Sequence, residues 1–115
     1  MNQSLILDGN IAVIRNTYER AVFHYTHSFN YIGFDNWLKE GNLESQVVLY
    51  KDCKHFIDFN DWKNELSILK LTPKDTSVME GQVGLSDYKN WYTLRSIQLV
   101  SELYIDELKS FGFSY

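Results

Sequence analysis

The stretch SDYKNWYTLRSIQLVSELYIDELKSFGFSY, residues 86–115, decides how the rest of the chain is read. Tyr88, Trp91, Tyr92, Leu99, Val100, Leu103, Tyr104, Leu108 and Phe111 recur mostly at three- and four-residue steps, the spacing that gathers side chains on one helical face. Leu94, Ile97 and Ile105 widen that band, so a helix here should be largely covered by other parts of the chain. Ser86 and Asp87 offer an N-cap and a first-turn carboxylate, and Gly112 stands where a left-handed C-terminal cap would fall. The spacing predicts one long amphipathic helix, the central post of the core, with Phe113 and Tyr115 as an aromatic tail that either tucks in or stays exposed.

The segments upstream are expected to pack around it. Leu5, Ile6 and Leu7 suit a staple or an edge strand, and Asp8 and Asn10 offer N-caps for a second helix, about Asn10 to Phe29. Ile14, Tyr18, Ala21, Val22, Tyr25 and Phe29 step along one face of it. Gly33 and Gly41 bracket a small helix, Phe34 to Glu40, and a further helix is expected from Asn42 to Ile57. The competing reading there pairs Gln46–Tyr50 with His55–Phe59 as a hairpin, although the linking Lys-Asp-Cys-Lys is poor turn chemistry. Asn60 is expected to cap a helix from Asp61 to Lys70 that buries Trp62, Leu66 and Leu69. Thr72 and Pro73 read as a short helix start with Asp75 in its first turn, and Gly81 to Gly84 as a flexible connection. The fold expected is mostly α: a single-domain, bundle-like helical globule spanning 1–115, its first and last helices packed together, with an α+β domain containing a hairpin at residues 46–59 as the alternative.

Composition bounds the function. At 115 residues with 44% hydrophobic and 23% charged side chains, the chain suits one folded domain. The aromatic share, 16%, is high enough to supply both a core and a recognition surface. A net charge of −4 without any clustered Lys and Arg argues against gripping a phosphate backbone, so no direct nucleic-acid ligand is expected. One cysteine, Cys53, cannot close an internal disulfide, and the N-terminal residues lack a signal-peptide pattern. No apolar run reaches about 18 residues, so the expectation is a cytoplasmic protein without a membrane partner.

Candidate chemistry is sparse. His24 and His27 lie three residues apart and could share a helical face, but neither HExxH nor Cys/His ligand spacing is present, so no metal or cofactor is expected. Arg20 and His27, with six residues between them, resemble the Arg and His pair of HEPN-type ribonucleases, an all-α family that acts on phosphodiester bonds. That resemblance covers these two residues only, with Ala21 where the family usually carries a polar residue and the pair on the first rather than a late helix; separately, a small helical enzyme or metal-binding domain using Arg20, His24 and His27 is the alternative function. Cys53 has His55 only two residues away, on a different helical face, and reads as a small hydrophobe rather than a nucleophile. With no Gly-rich phosphate loop, nucleophile elbow or Cys-x-x-Cys, the chain is expected to be non-enzymatic.

The pattern singled out for function is acidic. Asp58, Asp61 and Glu65 fall at steps of three and four, so on one helix they share a face, and Phe59 and Trp62 flank them. Carboxylates that steer an encounter beside an aromatic that supplies a buried anchor suit a basic protein surface. Asp58, Asp61, Trp62 and Glu65 are therefore the expected partner-binding residues. Glu102, Asp106 and Glu107 form a second acidic patch, partly offset by Lys109. Being small, acidic, aromatic-rich and free of catalytic motifs, the chain is similar to immunity proteins and antitoxins that neutralise a basic bacterial toxin, with a tRNase, RNase or DNase the expected target. A phage inhibitor of the anti-CRISPR kind would share the profile, and the free protein is expected to be a monomer. A module that self-associates through the last helix is a further alternative.

Overall fold

The computed structural model describes residues 5–29, 32–79, 82 and 84–115. The described residues contain six α-helices and a three-stranded sheet, so the chain is predominantly helical with a small β element. Contacts divide it into two compact units. One comprises residues 16–49 and 85–115, the other residues 3–15 and 50–84.

The sheet belongs to the second unit. Ile6–Leu7 (β1) pairs antiparallel with Ile11–Ile14 (β2), in the register Ile6 to Ala12 and Leu7 to Ile11. The turn between them has φ of 53° at Asp8 and 76° at Gly9, and the Asn10 N–H donates to the Leu7 carbonyl. Two consecutive positive φ angles mark the hairpin turn that Asp-Gly favours. His55–Asp58 (β3) lies parallel to β2, from Ile11 against His55 to Ile14 against Asp58. Leu5, Leu7, Ile11, Val13, Ile57, Phe59, Leu66 and Met79 form this unit's core, with Trp62, Leu71 and Val78 packed on it.

The predicted helix from Asn10 to Phe29 is therefore corrected at its start. Ile11-Ala12-Val13-Ile14 is a wholly buried strand, the use to which a short continuous apolar run is put in a sheet. The helix is Thr17–Ser28 (α1), and its cap is Asn16, whose Oδ1 accepts from the Tyr18 N–H at 2.9 Å. Phe34–Lys39 (α2) matches the small helix expected there. The helix expected from Asn42 to Ile57 shrinks to Gln46–Leu49 (α3), and the hairpin alternative fails as well. His55–Asp58 is a strand, but it pairs with β2 and not with residues 46–50.

Trp62–Ile68 (α4) begins behind a 3-10 turn, Phe59–Asp61. Asp58, not Asn60, provides the side-chain cap there, its Oδ1 accepting from the Asn60 N–H at 2.8 Å. Leu69, predicted to be buried, is exposed because the helix ends at Ile68 and Lys70 turns into the left-handed region, φ 58°. No helix starts at Thr72–Pro73; Asp75 instead accepts from the Ser77 N–H ahead of a 3-10 turn, Ser77–Met79. Of the expected Gly81–Gly84 connection, residues 81 and 83 lie outside the described residues.

The long C-terminal helix is corrected to three pieces: a 3-10 turn, Tyr88–Trp91, then Leu94–Leu103 (α5) and Ile105–Phe111 (α6). Tyr92 is extended, and Thr93 and Ser96 form a reciprocal capping box that starts α5 afresh. Tyr104 breaks the helix with φ −119° and ψ 31° while its hydroxyl donates to the Leu43 carbonyl at 2.6 Å. Gly112 does cap α6 in the left-handed region, as expected. Tyr18 and Ala21 of α1 share the first unit's core with Trp37, Leu38, Leu43, Val100, Tyr104 and Leu108, so the first and last helices do pack together. The aromatic tail folds back while Tyr115 stays 37% exposed: Asn16 Nδ2 donates to the Ser114 carbonyl at 2.9 Å, and the Tyr115 ring stands edge-on to Tyr18 and Tyr92, each 5.4 Å away.

Candidate functional site

The predicted acidic residues gather at the junction of β3 and α4. Asp58, Asp61 and Glu65 do not form one helical row, because Asp58 ends the strand and the 3-10 turn intervenes. Glu65 still meets Asp58: its carboxylate accepts the Asp58 backbone N–H, and the Asp58 carboxylate is taken up by Asn60. Both are half-buried and hold the local backbone. An outward strand N–H occupied by a carboxylate is also denied to a foreign strand, so Glu65 protects this sheet edge. Asp61 is exposed, and the exposed Asn64 amide donates to its Oδ2 at 3.1 Å.

Trp62 is half-buried against the core, and the Lys63 ammonium lies 5.4 Å from its ring centroid. Its bulk serves packing first. The apolar groups that α4 and its C-cap turn outward are Ile68, 68% exposed, and Leu69, 48% exposed. At 100° per residue, Glu65 and Ile68 share one sector of α4 and Leu69 adjoins Glu65, while Asp61 is the N-cap outside the helix. Sequence spacing singled out Trp62 as the anchor beside the carboxylates and did not single out Ile68 or Leu69 as exposed. Leu69 completes the series Trp62, Leu66, Leu69 only if the helix continues, and a non-glycine residue at Lys70 gave no stop signal.

Of the other singled-out residues, Cys53 and His55 lie in the second unit and the rest lie in the first. Glu107, placed in a surface patch by sequence, is fully buried. Its carboxylate accepts from the Thr17 hydroxyl at 2.8 Å, the Gln46 backbone N–H at 2.8 Å and the Gln46 side-chain amide. Arg20, buried beside it, has Nη1 3.7 Å from Glu107 Oε2 and donates from Nη2 to the Glu44 carbonyl at 2.8 Å. The arginine of the HEPN-like spacing is thus enclosed in a polar node at the foot of α1. His27 is exposed, with Nδ1 2.8 Å from the Phe23 carbonyl and its ring against Phe23. Among the described residues, no group of three or more His, Cys, Asp and Glu side chains could hold a metal ion. Burial and the neighbouring Asp52 push the Cys53 thiol up, the direction opposite to an activated nucleophile. Asp106 accepts from the Ser45 hydroxyl and Glu102 from the Gln98 amide, both on the surface.

No protein family, curated protein or solved structure matches the chain. No helix among the described residues is long and apolar enough to cross a membrane.

Proposed function

We propose that the chain is a non-enzymatic inhibitor, an immunity protein or antitoxin, that docks the outer face of α4 onto a basic bacterial toxin, with a nuclease domain as the target. The observation that supports the reading is that two exposed aliphatic side chains, Ile68 and Leu69, follow Glu65 by one turn at the end of α4, whose N-cap is the exposed Asp61. The acids draw in a positive surface, and the aliphatic pair supplies the area that desolvates on contact. A nuclease must keep such a positive surface for its phosphate substrate, so an acidic protein can cover it. The alternative enzyme built on Arg20, His24 and His27 gains nothing from an arginine enclosed with Glu107.

Asp61 and Ile68 are the informative substitutions, because Asp58 and Glu65 also hold backbone. The tagged protein, incubated with its native lysate at low salt, should retain a basic protein in stoichiometric amount. High salt should weaken retention, and the purified complex should block the partner's nuclease activity. Asp61→Lys and Ile68→Asp should each weaken that binding about tenfold or more while leaving the circular dichroism unchanged. Equal binding by both variants would remove α4 as the docking face.

A further inference from the structure

The outward face of α5 has a charge pattern that complements its own reverse. Leu94 is 88% exposed and Leu103 48% exposed at the two ends of the helix, where nine residues set them on opposite flanks of this face. Between them, Arg95, Gln98, Leu99 and Glu102 line a shallow, open depression. Arg95 and Glu102 are seven residues apart, two helical turns, and therefore point the same way. The positive group stands near the N-terminal end of the face and the negative group near the C-terminal end.

We propose that this face binds a second copy of the chain, helix against helix and antiparallel, as a two-fold symmetric dimer. Centred between Gln98 and Leu99, the pairing sets Arg95 against the second copy's Glu102 and Glu102 against its Arg95. Leu94 and the second copy's Leu103 then lie at the same height on opposite flanks of the pairing, so the charge pairs and not the leucines define it. A two-fold interface repeats every contact, so one complementary pair counts twice. The Asp35 carboxylate already lies 3.6 Å from Arg95, but the guanidinium side chain remains 68% exposed, and an exposed pair of this kind holds it loosely. A parallel copy would oppose like charges at both positions, which selects the antiparallel arrangement. The face is one ten-residue helix, about 15 Å long. Contacts that bury less than about 1,200 Å² belong to transient associations, so the dimer is weak and forms at high protein concentration. This departs from the monomer expected from the sequence, and it involves a different helix from the α4 docking face, so either proposal can fail without the other.

Sedimentation velocity from micromolar to millimolar protein should show a reversible monomer–dimer equilibrium. Arg95→Glu and Glu102→Arg should each weaken dimerisation about tenfold, since each sets like charges together twice. They shift the net charge in opposite directions, so a general charge effect would strengthen one and weaken the other. The double variant Arg95→Glu with Glu102→Arg restores both pairs and should return the dissociation constant to within about threefold of the parent. A chain that stays monomeric to millimolar concentration would overturn the proposal. So would single variants that dimerise as well as the parent, or a double variant no better than the singles.

Discussion

Removing the Glu107 carboxylate leaves the buried Arg20 guanidinium without the anion beside it and takes the acceptor from Thr17 and Gln46. Breaking a buried pair from one side costs about 3–5 kcal/mol, so Glu107→Ala should lower the stability by that order in chemical denaturation. A loss below about 1 kcal/mol would mean the node is incidental. Lys70 makes the opposite case. It sits in the left-handed region, with its N–H on the Ser67 carbonyl and the Leu71 N–H on the Leu66 carbonyl, the helix-ending pattern that glycine favours. Lys70→Gly should therefore stabilise the fold by about 1 kcal/mol. The buried Tyr104 hydroxyl supplies a pH test: desolvation pushes its ionisation from near 10 to about 12. The folded state keeps this proton where the unfolded state loses it, so the stability it contributes is whole below pH 10 and is lost as pH rises toward 12. Melting temperature should fall across that alkaline window, and Tyr104→Phe should flatten the fall. At this scale the sequence marks which residues are acidic but not their duties, because Asp61 on the surface and Glu107 in the interior sit in equally helical patterns.

Short elements explain most of what the sequence pattern missed. The periodicity of residues 86–115 is genuine, and Val100, Tyr104 and Leu108 do face one core, yet it does not register a change of direction that keeps the apolar side inward. The signal for the break lies in Thr93 and Ser96, a hydroxyl pair three residues apart. Replacing Thr93 by Ala should cost about 1 kcal/mol, as for other N-caps, and Ser96→Ala less than the two together. Thermal melts of the three variants check both statements. The sheet was legible in part. Leu5-Ile6-Leu7 reads as a possible edge strand, and Asp8-Gly9 is a strong hairpin signal that an N-cap reading of Asp8 obscures. Strand β3 was harder to find, because its partner β2 lies some 40 residues earlier in the chain and no local pattern encodes a parallel pairing.

For the whole molecule, the sequence reading of one domain over residues 1–115 predicts a single cooperative unfolding transition, with equal calorimetric and van't Hoff enthalpies. Two resolved transitions would make the two compact units independent. The functional proposal rests on chemistry alone: an acidic chain with no catalytic pattern suits a basic protein partner, and Ile68 and Leu69 are exposed apolar groups one turn beyond Glu65. The measurement that bears most directly on the proposed inhibition by docking is hydrogen exchange of the chain alone and with whatever basic protein the tagged chain captures from lysate. The docking account predicts slowed exchange concentrated in α4 and the residues through Leu71. Protection confined to α1, α5 or α6, with α4 exchanging as in the free chain, would contradict it.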